Sequence, residues 1–310
     1  KEALAAVGGT TAVLINLLVG FFVGLSSGAT VIISQHYGAN DPDGVSRSVH
    51  TAVAMSLLGG VALSVLGYLF TPLGLRMMNT PQDVVGGATT YMRIYFIGVI
   101  FVLIYNIGSG ILRAIGDSRR PLYVLIFCCL CNVVLDILFV KAFRMGVAGA
   151  AVATVITEAV SSLVLLVILL RSRDSYRLIL RKIWLDLPLL GDILRIGFPA
   201  GLQSVMYAVS NVFIQTNINA FGTDVVAGWT AYGKIDSLFW MVMDAFGISI
   251  TTFTGQNIGA RKLDRVRQGI RTCSLMAFGF SFALSGLLFV FGDQIVRLFN
   301  SDAGEVAAAG

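Results

Sequence analysis

The chain has 310 residues, of which 56% are hydrophobic and 13% are charged, whereas a soluble domain carries about 25% charged residues. Its mean hydropathy of +0.83 excludes a soluble enzyme. The 34 glycines suit membrane helices, in which small residues let backbones approach closely. The four cysteines and two histidines lack the spacing of a zinc site, so we expect the cysteines to be small core side chains.

Eight apolar runs are long enough to cross a bilayer, for which about 20 residues suffice. They lack the strict alternation of apolar and polar residues that the strands of a membrane barrel show. We therefore expect an all-α integral membrane protein, a polytopic bundle of about eight transmembrane helices. The runs span residues 3–36, 46–71, 84–113, 121–141, 146–170, 192–221, 225–257 and 266–299.

The distribution of basic residues predicts the orientation of these helices. Fifteen Lys and Arg residues fall on one side and six on the other, so the side with fifteen should face the cytoplasm. Both ends of the chain then lie outside, which is unusual for a chain that begins at Lys1 without a signal peptide. We expect a missing preceding helix.

Residues 171–191 form the longest linker between the apolar runs. Tyr176, Leu180 and Trp184 recur at helical spacing, while basic residues such as Arg177 supply a polar side. We expect an amphipathic helix that lies on the cytoplasmic leaflet. An irregular basic loop is the alternative.

A short motif occurs twice in the chain. Gln35-x-x-Gly38 recurs as Gln256-x-x-Gly259, an offset of 221 residues (256 minus 35). Six runs separate the copies, and because six is even, both copies cross the membrane in the same direction. This pattern indicates a parallel repeat, which is a transporter design.

The repeat predicts a protein of two lobes with six helices each. We assign residues 1–170 to an N-lobe that contains five of its six helices. Residues 171–191 are the cytoplasmic linker, and residues 192–310 form a partial C-lobe with three of six helices.

Polar side chains inside the predicted helices indicate function, because each ionisable one costs at least about 2.5 kcal/mol at the bilayer centre. Asn132 and Asp136 stand one turn apart, and Thr154 and Glu158 repeat that spacing on the next run. Counted from the turn between the runs, Asp136 and Thr154 have similar depths. We expect Asp136, Asn132 and Thr154 to bind a coupling proton or Na⁺. The alternative is that these side chains form hydrogen bonds that only fix helix packing. For Glu158, another alternative is that its carboxylate is solvated near the cytoplasmic end of the helix.

The sixth run combines a predicted kink with a polar stripe. Pro199 stands between Gly197 and Gly201, so the helix should bend, either as a gate or as a passive kink. Polar residues follow at helical spacing and must face protein or water. We therefore expect a gate at Pro199 and a substrate cavity lined by Gln203, Tyr207, Asn211 and, from the next run, Asp244.

The motifs of several enzyme classes are absent from the sequence. The chain contains no phosphate-binding Gly-x-x-x-x-Gly-Lys-Ser/Thr loop, no His-Glu-x-x-His zinc motif and no Gly-x-Ser-x-Gly nucleophile elbow. We expect no enzymatic activity, and no cofactor other than H⁺ or Na⁺ as a coupling ion.

Seven short motifs occur together over nearly the whole chain. They are Ala3-Leu4-Ala5-Ala6-Val7-Gly8, Gly24-Leu25-Ser26-Ser27-Gly28, Ser34-Gln35-x-x-Gly38-Ala39, Arg113-Ala114-x-Gly116-Asp117, Asn132-x-x-x-Asp136, Gly149-Ala150-Ala151-x-Ala153-Thr154 and Gly255-Gln256-Asn257-x-Gly259-Ala260. Each motif is weak alone, but the set resembles the multidrug and toxic compound extrusion (MATE) family.

The resemblance implies cation-coupled antiport by alternating access, with twelve helices in two lobes around a central cavity. It also implies that Asn132, Asp136 and Thr154 belong to the N-lobe cluster that binds the coupling ion. The family's first helix and its final three helices have no counterpart in this sequence, so we expect a chain truncated at both ends. The acidic position that some members use in the seventh helix falls near Tyr207, which departs from that pattern.

We expect a secondary active multidrug efflux transporter that exchanges organic cations or amphipathic compounds for H⁺ or Na⁺. We expect a monomer in the inner (cytoplasmic) membrane, whose partners are small molecules and the lipid bilayer, not nucleic acid. A lipid-linked oligosaccharide flippase of related fold and a non-transport membrane scaffold are the alternatives. A wide cavity lined by basic residues would indicate the flippase. A scaffold would keep its function when the polar residues in its membrane helices are replaced by apolar ones.

Overall fold

A computed structural model of the chain describes residues 10–77, 82–219 and 223–299. These residues form eight long α-helices and no β-strand. A π-helical segment, Ile137–Ala142, extends α4, and a 3₁₀ turn, Leu180–Lys182, lies in the linker. The helices are α1 Thr10–Gly38, α2 Pro42–Met77, α3 Gln82–Ala114, α4 Arg119–Asp136, α5 Gly146–Arg171, α6 Leu187–Asn219, α7 Thr223–Gly259 and α8 Leu263–Phe299.

The helices coincide with the eight predicted apolar runs. In the described part of the chain, seven of them are long and apolar enough to cross a membrane. The exception is α6, which carries Asp192 and Arg195 near its start and the polar stripe farther along. The prediction of an all-α, multi-pass membrane protein is confirmed. The predicted motif at residues 3–8 lies outside the described residues.

The two copies of the repeated motif end their helices in the same way. Asn40 and Arg261, which are again 221 residues apart (261 minus 40), both have positive φ angles, 53° and 58°. The backbone hydrogen bonds of the two turns also correspond one to one. The matched amide-to-carbonyl pairs are Ala39 to Gln35 (2.9 Å) and Ala260 to Gln256 (3.0 Å), Asn40 to Tyr37 (3.2 Å) and Arg261 to Ile258 (2.9 Å), and Asp41 to His36 (3.0 Å) and Lys262 to Asn257 (2.8 Å).

The chain divides into two compact units, and the boundary between Ala208 and Val209 falls within α6. The first unit contains α1 to α5, the linker and the first part of α6, and the second unit contains the rest of α6 with α7 and α8. Two hydrophobic clusters fill the first unit. Fully buried members of one are Ile33, Val49, Leu112, Leu165 and Leu178, and fully buried members of the other are Leu75, Met92 and Phe96.

Small residues bring the helices of the first unit close together. A Cβ atom added at Gly98 of α3 would lie 2.5 Å from Cγ2 of Val155 on α5. Likewise, a Cβ atom at Gly60 of α2 would lie 2.8 Å from Cγ1 of Ile100 on α3. This close packing explains why a chain so rich in glycine forms a stable membrane lobe.

The predicted amphipathic helix in the linker is wrong. Between the end of α5 and the start of α6, only the short 3₁₀ turn is helical. The amide of Leu178 donates to the carbonyl of Leu169 (3.1 Å), and the amide of Ile179 donates to Nε2 of His50 (3.0 Å). Tyr176 and Leu178 are buried in the core of the first unit. Tertiary partners thus bind the amides of Leu178 and Ile179 and bury Tyr176, whereas Leu180 and Trp184 remain exposed.

An ion pair fixes the end of the linker to α2. Nε of Arg47 donates to the Asp186 carboxylate (2.9 Å), and the amide of Asp186 donates to Oγ1 of Thr51 (3.3 Å). The same carboxylate accepts the amide of Leu189 in the first turn of α6 (3.3 Å). The hydrogen bonds from Arg47 and Leu189 lower the pKa of Asp186 below its usual value. Asp186 therefore both caps α6 and docks the linker.

We expect His50 to hold the linker in place. The ring is buried, and because Nδ1 lies 2.6 Å from the carbonyl oxygen of Ser46, Nδ1 carries the proton and Nε2 accepts from Ile179. His50→Phe leaves the Ile179 amide unpaired, at a cost of about 1–3 kcal/mol. The linker should then be cut faster by trypsin at Arg177 and Arg181. His50→Gln retains an acceptor and should restore protection, whereas equal cleavage of the Phe variant and the wild type contradicts this role.

Candidate functional site

The candidate ion site lies where α4 changes to a π-helix. Asp136 is the last residue of α4, and the π-helical segment Ile137–Ala142 begins directly after it. Such segments are rare and occur frequently at functional sites. Oδ1 of Asp136 is buried and has no hydrogen-bond partner among the described residues. A bound proton or cation satisfies a buried carboxylate oxygen of this kind.

Tyr91 on α3 completes this site and was not found from the sequence. The Asp136 carboxylate and the Thr154 side chain both contribute to the electrostatic environment of its phenol. The hydroxyl of Thr154 in turn donates to the carbonyl of Ala150, one turn earlier on α5 (3.0 Å). Both predicted residues thus influence the same phenol, and their joint binding of an ion stays a prediction. The sequence analysis selected charged residues within the predicted helices, and a tyrosine side chain is neutral, so Tyr91 was not selected.

Asn132 lies one turn before Asp136 and has a different partner. Its Nδ2 donates to Oγ1 of Thr157 on α5 at 3.3 Å. The Thr157 side chain is buried and donates to the carbonyl of Ala153 (2.9 Å). Asn132 thus links α4 to α5 beside the Asp136 site. Its role as a direct ligand of the ion stays a prediction.

A second acidic residue, Glu158, lies inside the same unit. It is half-buried, and its carboxyl interacts electrostatically with the phenols of Tyr95 and Tyr105 and with the thiol of Cys128. The sequence alone left open whether bulk water solvates this carboxylate at the end of its helix. Side chains of α3 and α4 lie near it, and its role stays a prediction.

The bent helix predicted at Pro199 remains helical on both sides of the proline, from Leu187 to Asn219. Its flanking glycines face α1. A Cβ atom at Gly197 would lie 2.8 Å from Cα of Leu25, and one at Gly201 would lie 2.6 Å from the carbonyl oxygen of Phe21. Within the first unit, α6 thus contacts α1 backbone to backbone at the position of the proline.

The polar residues assigned to a substrate cavity are exposed. Gln203 and Tyr207 lie on the part of α6 that belongs to the first unit. Asn211 and Asp244 lie in the second unit, on α6 and α7. Exposure suits side chains that face an aqueous cavity, and the shared role of these residues in one cavity stays a prediction.

The described residues contain no cluster of three or more His, Cys, Asp and Glu side chains that could hold a metal ion. A cation at Asp136 would therefore take most of its ligands from neutral oxygens. Thr154 and Tyr91 carry neutral oxygens of this kind and are the candidate ligands. One carboxylate with neutral oxygens fits a proton or a monovalent cation better than a transition metal.

Comparisons with known proteins agree with this architecture. A family model described as MatE matches residues 1–138 and 199–310. Two relatives from Bacillus subtilis, the probable multidrug resistance proteins YoeA and YpnP, are 32% and 31% identical over 92% and 99% of the chain. The chain spans 63% and 68% of their lengths. A solved outward-facing multidrug resistance MATE family transporter of the MOP superfamily, 28% identical, aligns over 99% of the chain and 68% of its own length, with a TM-score of 0.90.

Proposed function

Because the chain belongs to the MatE family, we propose that it forms part of a secondary active multidrug efflux transporter that couples export to an inward H⁺ or Na⁺ gradient. The observation that carries the proposal is the buried Oδ1 of Asp136, which has no hydrogen-bond partner in the described part of the chain and lies at the start of the π-helical segment. For coupling, this carboxyl must bind the cation with different affinities in the two states of the lobe, because only differential affinity shifts the equilibrium between them.

The substrates we propose are organic cations or other amphipathic compounds. Two relatives are named as multidrug resistance proteins, and the exposed polar stripe of α6 offers hydrogen-bonding groups to such compounds. We further propose that the protein acts as a monomer in the inner membrane, without an enzymatic step or a cofactor. No observation favours the flippase or the scaffold.

The proposal is tested with the protein reconstituted in liposomes. A fluorescent organic cation should accumulate against its gradient when an H⁺ or Na⁺ gradient is imposed, and accumulation should stop when an ionophore collapses that gradient. Comparison of the two gradients identifies the coupling ion. Failure of both gradients to drive accumulation, with the protein folded and inserted, contradicts the proposal.

Pro199 is proposed as the gate of the cavity. It interrupts the backbone hydrogen bonds of α6 next to the contact with α1. Pro199→Ala restores the missing amide and stiffens the helix, so export should slow while expression and folding are kept. Leu202→Ala, an exposed position one turn along the helix, is the control. Export by Pro199→Ala at the wild-type rate leaves the proline as a passive kink.

A further inference from the structure

Glu158 is a membrane carboxyl that the site at Asp136 does not use. It lies one helical turn beyond Thr154 on α5, and its side chain is half-buried. The titratable groups that face it are Tyr95 and Tyr105 from α3 and Cys128 from α4. On its own helix, the Ser161 hydroxyl donates to the backbone carbonyl of Glu158 (2.9 Å). None of the ion pairs in the described part of the chain involves Glu158. A carboxylate without a cationic partner in a membrane helix has a strong tendency to take up a proton.

Two stacked tyrosines on α3 interact with Asp136 and Glu158, one with each carboxyl. The rings of Tyr91 and Tyr95 are stacked on α3 with centroids 6.4 Å apart. Tyr91 interacts with Asp136, and Tyr95 interacts with Glu158. Phenols both accept and donate protons, so this pair supplies a polar path along α3 between the two carboxyls.

A third tyrosine of α3, Tyr105, lies on the side of Glu158 that is nearer the basic loops. The hydroxyl of Tyr105 donates to the carbonyl of Pro121 in the first turn of α4 (3.4 Å). Tyr105 also interacts electrostatically with Arg113 at the end of α3. The loops at this end of the unit carry the majority of the basic residues and are predicted to face the cytoplasm. Glu158 thus lies between Asp136 and the predicted cytoplasmic side.

We propose that Glu158 is a second proton-binding site, through which a proton bound at Asp136 leaves toward the cytoplasm. In this step the carboxylic acid of Asp136 becomes a carboxylate and the carboxylate of Glu158 becomes an acid. Each phenol between them accepts one proton as it donates its own and is unchanged at the end. The inference rests on the proposed function, because it assigns the path of the coupling proton.

Glu158→Gln tests the path, because glutamine keeps the size and hydrogen bonding of the side chain but cannot carry a proton. In liposomes, H⁺-driven export should slow roughly 100-fold, the low end of what a positioned proton-transfer group contributes. The Kd for substrate should not change. Glu158→Asp should recover part of the rate and shift its pH profile, which a purely structural role would not do. Asp174→Asn, an exposed residue of the linker, is the control.

Infrared spectroscopy of the reconstituted protein separates this inference from the proposed function. A carbonyl band of a protonated carboxylic acid should be lost in Glu158→Gln, and a different one in Asp136→Asn. If Glu158→Gln has the wild-type spectrum at every pH, or exports with H⁺ at the wild-type rate, the second site is wrong whatever the protein transports. If the band is present but no gradient drives export by the wild type, the proposed function fails instead.

Discussion

Asp136→Asn should abolish export driven by an imposed H⁺ or Na⁺ gradient, while the protein remains folded and binds substrate. Asparagine preserves the volume and polarity of the side chain, so the packing of α4 should be kept. It removes the charge that binds the coupling cation. Because the Asp136 oxygen has no partner among the described residues, the substitution leaves no ion pair broken. The measurement is dye accumulation in liposomes, together with equilibrium substrate binding.

Asn132→Ala is the matched comparison for Asp136→Asn. The Asn132 amide donates to Thr157, so its loss should weaken the attachment of α4 to α5 without removing the coupling charge. Export should then be reduced but still driven by the gradient. If Asp136→Asn exports with the gradient like the wild type, the cluster only fixes packing. If Asn132→Ala abolishes coupling as completely, Asn132 is itself a ligand of the ion.

The helices could be predicted from the sequence because the length of an apolar run and the turn residues at its ends determine where a membrane helix begins and ends. The third run was predicted at 84–113, and α3 spans Gln82–Ala114. Apolar length determines such a span, and turn residues stop it. The repeated turn was also predictable, because its backbone geometry depends on a few adjacent residues. The two turns have matching hydrogen bonds 221 residues apart (256 minus 35).

Long-range contacts explain what the sequence did not predict. The linker has the spacing of an amphipathic helix, yet the amide of Ile179 binds His50, which is 129 residues away. The candidate site shows the same limit. Spacing placed Asp136 and Thr154 at one depth, but Tyr91 comes from a helix whose rotation only packing determines. A single sequence without its fold offers no signal that selects Tyr91 from the other tyrosines.

Gly24→Val should strongly reduce export through the contact between α1 and α6. A Cβ atom at Gly24 would lie 2.7 Å from the carbonyl carbon of Ala200, and one at Gly28 would lie 2.7 Å from the amide nitrogen of Gly197. These are backbone atoms, so rotation of a side chain cannot relieve the clash and the helices must separate. Overpacking of this kind costs about 1–3 kcal/mol. That cost lowers the population of the closed contact roughly 5- to 150-fold.

The contact matters for transport because it adjoins the predicted gate at Pro199, where the ring of Phe198 packs edge-on against Phe21 (centroids 5.7 Å apart). If alternating access requires α6 to return to α1 in each cycle, export should fall with the population of the contact. Disulfide formation between cysteines introduced at positions 21 and 198, in a background without native cysteines, should fall in parallel. Gly191→Val, on α6, is the matched glycine-to-valine control, because a Cβ atom at Gly191 meets no atom within 4 Å. Wild-type export by Gly24→Val, with cross-linking reduced, would show that the cycle does not pass through this contact.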